Sequence, residues 1–91
     1  MEYYILSLKW SKSKEKYVWW GPDNSGYTED LNVAGIYTEE QLSERPLYYK
    51  NDNTYPVPVD FVNSMFIQRI VPTRSENWNL MNIDLSSLKH Y

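Results

Sequence analysis

The chain of 91 residues contains no cysteine, which excludes a disulfide framework and any thiolate metal centre. A reducing compartment fits that composition. The single histidine, His90, stands next to the last residue, where chains fray. It has no second imidazole to share a metal with and is poorly placed for a Ser-His-Asp arrangement. Glycine is scarce, at three residues, and neither a GxxxxGKS/T phosphate loop nor a GxGxxG dinucleotide fingerprint occurs. Basic residues are outnumbered, nine against twelve acidic, for a net charge of -3. That balance argues against non-specific binding to duplex nucleic acid. No apolar run is long enough to span a bilayer, and no basic-then-apolar leader opens the chain. The expectation is a soluble protein without metal, cofactor or membrane, whose fold starts at residue 2.

What the chain has instead is aromatic surface. Nine tyrosines and four tryptophans dominate its 16 % aromatic content. Such rings bury large areas and keep a polar handle. The length allows one domain, residues 1–91, with no room for a second core. Most rings are needed inside; those in surplus are candidates for recognition, since Tyr-rich surfaces are common at binding sites.

Periodicity predicts a strand over Glu2–Trp10, a polar turn over 11–15 and a second strand over Lys16–Trp20, together an antiparallel hairpin. Lys9, Lys12, Lys14 and Lys16 cluster at its tip, as solubilising charge. Glu29–Gly35 reads as a single helical turn ended by glycine. Thr38-Glu39-Glu40-Gln41 matches a capping box, and Pro46 stops the helix at about Arg45. A short strand follows at Leu47–Lys50, then a turn over Asn51–Thr54. Pro58 opens a helix whose Val59, Val62, Met65 and Phe66 share one face. Ile67–Val71 reads as a strand, and Ser75–Met81 as a last short helix capped by Thr73 or Ser75. The pattern is an α+β domain: a small antiparallel sheet with an N-terminal hairpin and two or three short helices on one face.

The richest chemistry lies in Trp19-Trp20-Gly21-Pro22-Asp23-Asn24-Ser25-Gly26-Tyr27-Thr28, which holds two of the four tryptophans and two of the three glycines. Gly-Pro and Asn-Ser-Gly break the chain into turns. Trp19 and Trp20 point to opposite faces of a strand, so one of them is free to stack on a planar ligand. Stacking a base on such a ring is worth about 1–3 kcal/mol. Asn24 offers donor and acceptor together, Ser25 and Gly26 a backbone nest for an anion, and Tyr27 and Thr28 hydroxyls. A phosphate would need a cation from Arg69, Arg74 or Lys9. Arg69 is preferred because it sits among apolar neighbours and would need a partner if drawn inward. The acidic pairs Glu29-Asp30 and Glu39-Glu40 are explained as helix starts, without catalysis.

Tyr4-Ile5-Leu6-Ser7-Leu8-Lys9, then Trp20-x-Pro22-x-Asn24-x-Gly26-Tyr27, then Ala34-Gly35-x-Tyr37 resembles a family of small phage-encoded proteins, mostly without an assigned activity. The later Tyr49–Phe66, Ile70-Val71-Pro72 and Trp78 positions extend the resemblance over most of the chain. The sequence departs from the family in having Trp19, and in Trp10-Ser11 where a His-Thr pair follows the first lysine. The resemblance implies a bacteriophage accessory protein in the cytoplasm of an infected bacterial host. Such proteins interfere with host defence by sequestering a nucleotide-derived signal or by blocking a defence complex through protein contact, as anti-CRISPR proteins do. Mimicry of nucleic acid favours dense acidic blocks, which are lacking here.

The sequence therefore predicts a non-enzymatic protein that binds a small nucleotide-like ligand. The expected site is Trp19, Trp20, Asn24, Ser25, Gly26, Tyr27, Thr28, Tyr37, Arg69 and Arg74, with Ala34–Tyr37 folding back as the opposite wall. A homodimer that completes the site is a further expectation. Protein-contact inhibition is the alternative, and a structural role without a pocket a third.

Overall fold

The fold is organised around β1 (Glu2–Ser7), which has strands on both of its edges. The computed structural model describes residues 1–12, 14–66 and 68–83. One edge of β1 pairs along its length with β5 (Thr54–Pro58), from Tyr3↔Pro58 to Ser7↔Thr54. The other edge is shared: β4 (Tyr37–Thr38) takes the Glu2–Tyr3 end, and β2 (Trp19–Trp20) pairs Trp19 with Leu6. The outermost strand is β3 (Tyr27–Thr28), in register Trp19↔Thr28 and Trp20↔Tyr27. All pairings are antiparallel. Pro56 and Pro58 lack the N–H groups that would recruit another strand to the β5 edge, a common protection of exposed edges.

The α+β class and the small antiparallel sheet are as the sequence implies. Five short α-helices occur among the described residues: α1 (Leu8–Lys12), α2 (Glu39–Glu44), α3 (Pro46–Tyr49), α4 (Val59–Met65) and α5 (Ser75–Leu80). They serve both faces of the sheet, because β1 is buried on both. Tyr4 and Leu6 join Trp19, Val62, Phe66 and Trp78 in the larger core. Ile5 joins Tyr37 and Tyr49 in the smaller one, against which Trp20 and Leu42 pack. Two polar atoms of the larger core, Tyr17 Oη and Trp19 Nε1, have no partner among the described residues.

Several local expectations are met atom by atom. The Gln41 N–H donates to Thr38 Oγ1 while Gln41 Oε1 accepts from the Thr38 N–H, the reciprocal capping box of α2. Pro46 separates α2 from α3, and Pro58 is the N-cap of α4. Val59, Val62 and Phe66 are buried, whereas Met65 is exposed.

Other expectations are corrected. The hairpin is interrupted, because α1 takes Leu8–Lys12 and β2 is only two residues long. Ser7 Oγ accepts from the Trp10 N–H at 3.3 Å, and the buried Ser11 hydroxyl both accepts from Val18 N and donates to Val18 O. Two serines thus replace the ladder a longer strand would make. Glu29–Gly35 is not helical: Asp30 Oδ1 accepts from the Asn32 N–H in an Asx-turn. Residues 47–49 belong to α3 rather than to a strand. Ile67 lies outside the described residues. Residues 69–71 form no strand: Arg69 O accepts from Leu31 N, while the bonds Tyr17 N to Val71 O and Thr73 N to Glu15 O make an isolated antiparallel bridge, Lys16↔Pro72. The N-cap of α5 is Arg74, without a side-chain cap, while Thr73 Oγ1 donates to Lys14 O. His90 and the tail beyond Ile83 lie outside the described residues.

Candidate aromatic groove

The turn after β2 is built by left-handed backbone. Asp23 and Asn24 have φ of 56° and 60°, and Gly26 has 74°. Two consecutive non-glycine residues in that region cost of order 1–3 kcal/mol each and persist only where their surroundings over-determine them. Here the Tyr37 hydroxyl, 1 % exposed, donates to Gly21 O at 2.5 Å and accepts from Asn24 N at 3.0 Å. Gly21 N donates to Gly26 O, Ser25 N to Pro22 O, and Tyr49 Oη to Asn24 Oδ1. Burial pushes the Tyr37 phenol above the usual tyrosine range, the Asn24 N–H pulls it partly back, and Tyr49, Asp23 and Tyr48 push it up further. Ala34–Tyr37 does fold back on this turn, as a brace beneath it.

The cross-strand pair Trp20↔Tyr27 places both rings on one sheet face. Trp20 has Tyr48 at 5.4 Å edge-on, Tyr49 at 5.9 Å and Tyr37 at 6.2 Å. Tyr27, 59 % exposed, meets Trp10, 41 % exposed, edge-on at 6.5 Å. Between these rings lies a groove of about 450 Å³. The cross-strand pair Ser7↔Thr54 belongs to it, α1 adds Lys9 and Trp10, α3 adds Tyr48, and the turn before β5 adds Asn51 and Asn53. A smaller hollow of about 100 Å³ continues it through Trp20, Tyr27 and Tyr48 to Asn24 and Gly26. The size falls within the range of small-molecule sites.

Of the expected site residues, Trp20, Asn24, Gly26 and Tyr27 come together here. Trp19 does not: it is 0 % exposed in the larger core. Burying a tryptophan removes roughly 150–250 Å² from water, about 4–6 kcal/mol at 25 cal/mol per Å². Stacking on a ligand, at about 1–3 kcal/mol, cannot draw it out. Tyr37 braces the turn from inside, Ser25 Oγ bonds Pro22 O, and Thr28 Oγ1 accepts from Asp30 N. Of the backbone N–H groups of this turn, that of Ser25 is bonded to Pro22 O and that of Asn24 to the Tyr37 hydroxyl, so neither is open to an anion.

Neither arginine reaches the groove. Arg69 ties three elements together: Nε to Asn32 Oδ1, and its terminal nitrogens to Asn63 Oδ1 and Tyr4 Oη. It thus meets its need for partners with neutral oxygens. Arg74 lines a separate hollow with Met65, Phe66 and Glu76. Among the described residues, the cation that lines the groove is Lys9.

Sequence reasoning missed Trp10, Tyr48 and the asparagines of the turn. A tryptophan in a lysine- and serine-rich segment was the available signal for the first. In the Tyr48-Tyr49 pair one ring is exposed and the other buried, whereas of the paired tryptophans Trp19 is buried and Trp20 half-buried. Comparison with protein-family models, curated proteins and solved structures returns no match.

Proposed function

We propose that this protein captures a small, planar, nucleotide-derived ligand in the aromatic groove and holds it without turnover. The observation that carries the reading is the convergence of Trp10, Trp20, Tyr27 and Tyr48 on one groove with amide and hydroxyl groups between them. Flat rings take a base face by stacking, and asparagines take its polar edge. Among the described residues that line the groove there is no histidine and no carboxylate to act as a general base. In the phage setting that the resemblance implies, capture alone withdraws a signalling molecule from a host defence system. Among the described residues no helix is long and apolar enough to cross a membrane.

Thermal-shift and tryptophan-fluorescence titrations against nucleosides, nucleotides and cyclic nucleotides test this. One class should raise Tm and change the fluorescence. Tyr27→Ala, at an exposed ring, should weaken that binding by about tenfold, one stacking contact. No response from any member would overturn the reading and favour inhibition by contact with a host protein.

A further inference from the structure

The polar side chains of the groove differ in what they have left to offer a ligand. Asn51 is spent on its own turn: Nδ2 donates to Leu47 O and Tyr48 O, and Oδ1 accepts from Asn53 N. Thr54 donates its hydroxyl hydrogen to Tyr49 O at 2.8 Å. The side-chain donors of these two residues are committed within the protein.

Asn24 is divided instead. Its Oδ1 accepts from the hydroxyl of Tyr49, a residue only 3 % exposed. The two ends of an amide diverge from one carbon. An oxygen held toward a buried tyrosine therefore leaves Nδ2 as the end open to a ligand. Asn24 lines the small hollow of about 100 Å³ that continues the groove, with Trp20, Tyr27 and Tyr48. Its backbone is fixed as well, by the bond from Asn24 N to the Tyr37 hydroxyl.

Two further groups have the same sign. Trp20 Nε1, in the wall common to groove and hollow, is buried without an acceptor among the described residues. Ser7, 3 % exposed, also lines the groove. Its Oγ accepts from Trp10 N, and its own hydroxyl hydrogen has no acceptor among the described residues. A buried donor without an acceptor is costly, and a ligand oxygen relieves that cost where a ligand amino group does not.

We infer that the groove selects bases with a ring carbonyl where adenine and cytosine carry an amino group, the carbonyl oxygen accepting from Asn24 Nδ2. This rests on the reading of the groove as a base-binding site and names the class of base. An asparagine that reads adenine uses both ends of its amide, one donating and one accepting. Here Tyr49 engages the accepting end. Hypoxanthine, guanine and uracil present a carbonyl oxygen and need only the donating end.

The test compares inosine with adenosine, and uridine with cytidine, by calorimetric titration. These nucleosides are neutral, so net charge does not enter the ratio. In whichever pair binds, the carbonyl member should bind about tenfold more tightly, the effect of one hydrogen bond made against one opposed. Asn24→Asp keeps an acceptor for Tyr49 and replaces Nδ2 by oxygen, so the preference should vanish or reverse. Tyr49→Phe releases Oδ1 and lets the amide turn, and the ratio should fall toward one. Circular dichroism establishes that each variant is folded, and the wild-type pairs decide the preference even if neither is. Equal binding within the pair, or tighter binding of the amino member, overturns the inference and leaves base capture standing. So does a carbonyl preference that survives in either folded variant. If no nucleoside binds, base capture falls too.

Discussion

Gly35 lies backbone to backbone against Gly21. A Cβ on Gly35 would stand 2.6 Å from Gly21 O and 2.7 Å from Pro22 Cα, and its N–H donates to Trp20 O at 2.9 Å. This contact seats the turn that continues the groove. Gly35 was expected to end a helical turn; its real use is the absence of a side chain at a close crossing.

Gly35→Ala should therefore destabilise strongly, toward the upper end of about 1–3 kcal/mol, because the atoms it meets are main chain and cannot swing aside. Gly26→Ala meets nothing within 4 Å and suffers only from its φ of 74°, at about 1 kcal/mol. Denaturant melts of the two variants give the order. A Gly26→Ala loss equal to or larger than that of Gly35→Ala would refute the crossing.

The same substitution should have opposite signs at two tyrosines. Tyr37→Phe leaves Gly21 O and Asn24 N without their partner, a loss of about 1–3 kcal/mol. In a domain of this size each kcal/mol lowers Tm by about 4–8 °C. Tyr17→Phe removes a buried hydroxyl that has no partner among the described residues, and should leave Tm unchanged or raise it. A marked fall in Tm for Tyr17→Phe would reveal a hydrogen bond there.

Alkaline pH should unfold the protein. Burial raises the folded-state pKa of both Tyr17 and Tyr37, so folding favours their neutral forms. That contribution is complete below about pH 10, the value of an unfolded tyrosine. It is lost as pH rises from there through the folded values. Phenolate absorbance should show these two rings ionising together with loss of the circular-dichroism signal. Their titration near the ordinary value in a still-folded protein would contradict the burial argument.

Arg69 should affect stability and leave groove binding unchanged. Arg69→Gln breaks bonds to Tyr4, Asn32 and Asn63, and should lower Tm by an amount equivalent to about 1–3 kcal/mol. Its groove affinity, measured below that Tm, should match wild type. A lost affinity in folded Arg69→Gln would bring Arg69 back to the site.

Much of the fold is legible locally. The Thr38–Gln41 capping box, the stop before Pro46 and the start of α4 after Pro58 each depend on residues within a turn of one another. The β1 pattern is legible for the same reason. What local patterns did not disclose is α1, because the roles of Ser7 and Ser11 depend on bonds to helix and strand backbones at once. The site was half legible: Trp20, Asn24, Gly26 and Tyr27 lie in one segment, whereas Lys9, Trp10, Tyr48 and Asn51 reach it from separate elements.

Composition and short-range pattern were thus enough to determine an α+β class, exclude disulfide and thiolate chemistry, and mark Trp19–Thr28 as a place of interest. Alternation along a strand says that Trp19 and Trp20 face opposite ways. It does not say which face is covered more deeply. That choice belonged to the tertiary structure: the packing around Trp19 closes one side, while the cross-strand Trp20–Tyr27 pair stays open to α1 and α3. Tertiary packing also engaged Arg69 elsewhere and left Lys9 beside the rings, because partners far apart in sequence decide where a long cationic side chain ends.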